Sequence, residues 1–94
     1  MSNQKTEVRF PPHLRRFLEL PEVCQATGET VREIVNNLDN QFPGFADYLL
    51  HENGEVRQHV NIFLDEKMIS DRKELSDSVD DINQIFIMQA LSGG

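Results

Sequence analysis

Residues 5–10, "KTEVRF", alternate in character: Thr6, Val8 and Phe10 fall on one side of an extended chain, Lys5, Glu7 and Arg9 on the other. This predicts a strand half-buried on one face. Pro11-Pro12 ends it, because neither residue can donate to a ladder. "HLRRFLELP" is then expected to be a long connection, with Leu14 tucked under the sheet, leading into a second strand, "EVCQAT", antiparallel to the first. In "GETVREIVNNLDNQFPG" the period changes. Val31, Ile34, Val35, Leu38 and Phe42 recur at helical intervals, and Thr30 and Glu33 have the spacing of a capping box. Pro43-Gly44 should stop this helix, and "FADYLL" reads as one further turn offering Phe45, Tyr48 and Leu49 to the core.

The Asn53-Gly54 pair marks a turn, after which alternation resumes from Val56 to Leu64. Val56, Val60, Ile62 and Leu64 lie on one side, Arg57, His59, Asn61 and Phe63 on the other, with Gln58 interrupting the apolar set. A short strand "KMIS" should follow, then a polar loop, "DRKELSDSVDD", anchored by Leu75 and Val79. The last strand is "QIFIMQA", with Ile85 and Ile87 inward and Phe86 and Met88 on the opposite face. Two strands, a helix and three strands are most economically buried as an α+β fold, a mixed sheet with one main helix across one face.

Ninety-four residues suit a single domain, 1–94, with little room for an enclosed active site. At 38% hydrophobic and 27% charged residues the composition is neither disordered-like nor membrane-like, so a soluble protein is expected. The net charge of -7, with only nine Lys and Arg, disfavours nucleic acid and anionic membrane and favours a basic protein partner. The lone Cys24 cannot form an intramolecular disulfide and, in a strand-like stretch, reads as a structural thiol; a cytoplasmic setting is expected.

His13, His51 and His59 fall in separate elements without metal-ligand spacing, and "DSVDD" lacks the Gly and Glu of a calcium loop. No phosphate loop, nucleophile elbow or His-carboxylate pair is present, so the chain reads as a non-enzyme that binds no cofactor of its own.

After the apolar run "IFIM" the sequence closes with "QALSGG". Chance alone places two glycines there in roughly 0.5% of chains. Either Gly93 and Gly94 are a frayed end, or the terminal carboxylate is a working group.

"GETV" at the start of the helix, "HVNIFLDEKMI" and the strand running into "SGG" together resemble the ThiS/MoaD sulfur-carrier branch of the ubiquitin-like β-grasp proteins. "RFPPHLRRF" and "NQFPGFADYLLHENGEVRQHVNIFLDE" look most like its longer members, among them carriers that pair with cysteine-synthase-type enzymes. "SDRKELSDSVDDINQ" departs from the Gly-rich stretch and Gly-Asp turn often found in that branch, which leaves the sulfur acceptor open.

The resemblance implies a carrier whose Gly94 carboxylate is adenylated by a ubiquitin-activating-type enzyme using ATP and Mg, then converted to a thiocarboxylate. A sulfur-accepting biosynthetic enzyme would consume it, making cysteine, thiamine or another sulfur metabolite. Leu91, Ser92 and Gly93 would form the flexible tail, 91–94, that carries Gly94 into the activating site. A bare glycine backbone suits a narrow channel. Phe63, Phe86 and Met88 would form the face that docks the partner. A molybdopterin synthase small subunit, a covalent protein modifier and a plain interaction module are the alternatives.

Overall fold

The computed structural model describes residues 5–89. Five strands form one mixed sheet: β1 (Lys5–Arg9), β2 (Val23–Thr27), β3 (Val60–Leu64), β4 (Lys67–Met68) and β5 (Gln84–Gln89), in the order β2-β1-β5-β3-β4. The central pair, β1 and β5, is parallel, and the other pairings are antiparallel. Helices α1 (Pro12–Leu18), α2 (Val31–Gln41) and α3 (Phe45–Leu49) complete the fold.

The expected faces hold. Thr6, Val8, Ile62, Leu64, Ile85 and Ile87 are buried against Val31, Ile34, Val35 and Leu38 of α2 and Phe45 and Leu49 of α3. Phe10 sets its ring edge-on to Phe42 and Phe45, with centroids 6.2 and 5.6 Å apart. Leu14, Leu75 and Val79 are also buried in this core.

α2 begins as its sequence predicts. The Glu33 N–H donates to Thr30 Oγ1 at 3.3 Å. The Glu33 carboxylate reaches back one residue further than in the usual box and accepts from the Glu29 N–H at 2.8 Å. Only glycine fits just before it, because a Cβ on Gly28 would lie 2.7 Å from the Cβ of Glu33.

Two expectations are corrected. The connection after β1 contains α1: Pro12 stands at its first turn, where no N–H is needed, and Glu19 closes it in the left-handed region (φ 57°). β3 starts at Val60 rather than Val56. Val56 forms an isolated bridge with Leu50, and the Val60 N–H turns back to the Arg57 carbonyl at 3.0 Å. Arg72 holds that turn, donating from one guanidinium nitrogen to the carbonyls of Arg57 (2.7 Å) and Val60 (2.9 Å). A charged side chain thus replaces the ladder that the alternation of 56–64 implied.

Candidate functional site

The helices cover one face of the sheet and leave the other open. Because side chains alternate, the residues between the core positions project from the open face: Phe86 and Met88 of β5, Asn61 and Phe63 of β3, Glu7 and Arg9 of β1. Register brings them together. Phe63 lies opposite Phe86 on one side and Met68 on the other, Asn61 opposite Met88, and Arg9 opposite Phe86. The structure therefore unites Phe63, Phe86 and Met88.

Their exposure is uneven. Met88 is 49% exposed and Met68 48%, whereas Phe63 and Phe86, which face each other in the register of β3 and β5, are half-buried rather than open. Met68 was not assigned to this surface from sequence. Its position four residues after Leu64, across a two-residue turn, carried the signal.

Polar groups border the apolar strip. Glu7 accepts from Gln84 Nε2 at 3.0 Å and pairs with Arg9 at 3.3 Å. At the turn between β3 and β4, Asp65 adopts φ 57°, a region that Asp tolerates. Its carboxylate accepts from the N–H groups of Asn83 and Gln84, fixing the hairpin to the start of β5.

The opposite end of β5 leads to the tail. Leu91, Ser92, Gly93 and Gly94 lie outside the described residues, but Gln89 is held at their base. The Tyr48 hydroxyl donates to Gln89 Oε1 at 3.1 Å, and the Tyr48 ring packs on Phe17 with centroids 5.3 Å apart. α3 thus meets the last described residue of β5, and α1 packs on α3 beside it. Phe17, 65% exposed, lies on α1, where the sequence predicts a long connection.

The remaining candidates lie elsewhere. His13, His51 and His59 are exposed. Among the described residues, no three His, Cys, Asp or Glu side chains are grouped to hold a metal ion. Cys24 sits opposite Val8, partly buried, with its sulfur 3.4 Å from Gln41 Oε1; burial pushes its thiol pKa up, away from the reactive thiolate. Asp71, at the head of the polar loop, has its carboxyl held down to about 2, first by the Ser76 hydroxyl at 2.6 Å and then by backbone N–H groups. That arrangement closes a loop. No described helix is long and apolar enough to cross a membrane.

The sequence model of the ThiS family matches residues 8–94, a span that runs from the end of β1 through Gly93 and Gly94. The chain belongs to the ThiS family. Solved structures show the same ubiquitin-like β-grasp fold. A chain of the Amycolatopsis orientalis BexX/CysO complex superposes with a TM-score of 0.82 at 24% identity, covering 95% of this chain and 99% of that one. Mycobacterium tuberculosis CysO gives 0.80 at 20% identity, covering 92% and 99%. SAMP1 from Haloferax volcanii gives 0.79 at 15% identity, covering 97% and 100%. No curated protein sequence matches the chain.

Within this ThiS-family fold the open strip and the base of the tail belong to one strand. Phe86 and Met88 project from β5, and Gln89 ends its described part. A partner seated on the strip would be within a few residues of the Gly93-Gly94 terminus.

Proposed function

We propose that this protein is a sulfur carrier, a co-substrate of partner enzymes rather than a catalyst. The observation that carries the reading is the ThiS-family match, which runs through Gly93 and Gly94. A carboxylate is a poor electrophile. In the proposed cycle the Gly94 carboxylate attacks the α-phosphorus of Mg-bound ATP on an adenylating enzyme, giving an acyl-adenylate and pyrophosphate. A sulfide equivalent then adds to the acyl carbon and expels AMP, leaving a thiocarboxylate. The activating partner supplies the ATP and Mg chemistry, and an acceptor enzyme takes the sulfur into a biosynthetic product.

The protein's own contribution is presentation. Gly93 and Gly94 put no side chain in the path of the reacting end, and Leu91 and Ser92 join it to the domain. Phe63, Phe86 and Met88, with Met68 beside them, form the docking strip, an exposed apolar area of the kind that marks interfaces. The BexX/CysO complex shows a neighbour of the same fold crystallised with another protein, which supports a protein partner here.

Incubation with the cognate adenylating enzyme, Mg-ATP and a sulfide source should add the mass of one oxygen-to-sulfur exchange to the C-terminal peptide "ALSGG". Deleting Gly93 and Gly94 should abolish the exchange. An adenylating enzyme active on another carrier that leaves this folded protein unchanged would refute the reading. Isopeptide-linked conjugates through Gly94 would instead identify a covalent modifier.

A further inference from the structure

α1 brings charge to the edge of the open strip, where it borders β5. A groove of about 290 Å³ runs between α1 and β5, lined by Arg9, Pro11, Arg15, Glu22, Phe86 and Met88. It continues the apolar strip, since Phe86 also borders the depression at the β3–β4 turn. At this volume it lies just below the range of small-molecule sites and suits one inserted side chain.

Its charge runs against that of the molecule. Of the six arginines, Arg32 and Arg72 are occupied with loop carbonyls, Arg57 with the carbonyl of Asp47, and Arg9 with Glu7. Arg15 and Arg16 make no such bond among the described residues, and Arg15 Nε is buried with no acceptor. Arg15 is shared with a second depression, where Arg16 joins it. Against them stands one groove carboxylate, Glu22. With screening over about 8 Å at physiological salt, the docking surface is felt by a partner through these near charges rather than through the net -7.

We infer that this groove receives an apolar side chain flanked by carboxylates on a protein partner, the apolar group resting on Pro11 and Met88 and the carboxylates pairing with Arg15 and Arg16. A carboxylate suits a guanidinium that makes no hydrogen bond or ion pair among the described residues, as at Arg15, which is partly exposed, and Arg16, which is exposed. The local sign reverses the expectation of a basic partner drawn from net charge. Assignment of that partner as the adenylating enzyme rests on the carrier reading; the chemistry of the groove does not.

Two measurements test the inference. The first follows backbone amide shifts on adding the capped peptide acetyl-Asp-Glu-Leu-Asp-Glu-amide, with its Asn/Gln counterpart as control. Shifts confined to α1 and residues 84–89, weakened about tenfold by half-molar salt and lost in Arg15→Gln/Arg16→Gln, are expected. No shifts, shifts elsewhere, or equal binding of the neutral peptide would overturn it. The second measures thiocarboxylation by the adenylating partner. A KM for the carrier raised about tenfold by the exposed change Arg16→Glu, and likewise by Arg15→Glu, at unchanged kcat is expected. An active wild type with KM unchanged in both variants overturns the inference and leaves the carrier reading standing. A wild type that is not thiocarboxylated removes that reading, and the peptide measurement then decides the groove.

Discussion

The two faces of the sheet are built from alternate residues of the same strands, yet they do different work. On the helix side, Ile62 is 1% exposed and Ile87 3%. On the open side their immediate neighbours are Phe63, half-buried, and Met88, 49% exposed. Such apolar area in contact with water adds little to folding. If the open face docks a partner as proposed, stability and recognition can be altered separately here, by mutating one residue or the next along a single strand.

The largest expected effect lies on the covered face. Ile62→Ala removes buried methyl and methylene groups beneath α2 and should cost about 2–5 kcal/mol, a drop of roughly 4–8 °C in Tm for each kcal/mol. Phe63→Ala, one residue on, should cost about 1 kcal/mol, since its ring is only half covered. Thermal unfolding of the two variants measures the contrast directly. Equal losses would mean that the faces are not distinct.

Phe63→Asp sharpens the same contrast on the recognition side. The carboxylate would enter a strip bordered by water, so the domain should stay folded at a cost of about 1–2 kcal/mol. Affinity for the proposed adenylating partner should fall at least about tenfold, because a charge would face an apolar contact. Titration calorimetry beside a melting curve separates the outcomes: a collapsed transition would place Phe63 in the core.

Much of this was legible in the sequence because burial imposes period. Val8, Ile62, Ile85 and Ile87 point inward at alternate positions, Ile34 and Leu38 at helical spacing, and each is found where its period puts it. The helix start was legible from Thr30 and Glu33. What escaped were features set by partners distant in sequence. The turn at 57–60 depends on Arg72, and no local pattern announces that its guanidinium will take two carbonyls. α1 did carry a local signal, Leu14, Phe17 and Leu18 at helical spacing behind Pro12, but the Pro pair read more simply as the end of a strand. The groove beside α1 was hidden with it. That Phe63 and Phe86 face each other required the register of β3 against β5, which alternation alone does not give.

Between the faces lies the base of the tail, where Tyr48→Phe deletes one hydroxyl. The bond to Gln89 Oε1 links α3 to the last described residue of β5, and its loss should cost about 0.5–1.5 kcal/mol. The effect on hydrogen exchange should be local, greater at residues 86–89 than in α2. Uniform loss of protection across the domain would show instead that Tyr48 serves the core as a whole.

The smallest effect belongs to the loop that closes the covered side, and it is read by pH. Asp71 is held to about 2 by the Ser76 hydroxyl and by backbone N–H groups of Lys73, Glu74 and Ser76, against about 3.9 for an unconstrained aspartate. Because the folded state depresses this pKa, the contribution of Asp71 to stability is fully present above about pH 4 and is lost as pH falls through about 2. Ser76→Ala removes the leading hydrogen bond and should raise the Asp71 pKa toward its ordinary value, shifting the loss of stability to higher pH. Carboxyl-carbon NMR titration reads the pKa, and denaturation at pH 2.5 and pH 6 reads the linkage; the variant should differ less between the two conditions than the parent does. Leu75, buried at the centre of this loop in the left-handed region, should lose protection in step with Asp71 protonation. The Phe63 and Phe86 amides, across the sheet, should not change. If they titrate with Asp71, the two faces are coupled rather than independent.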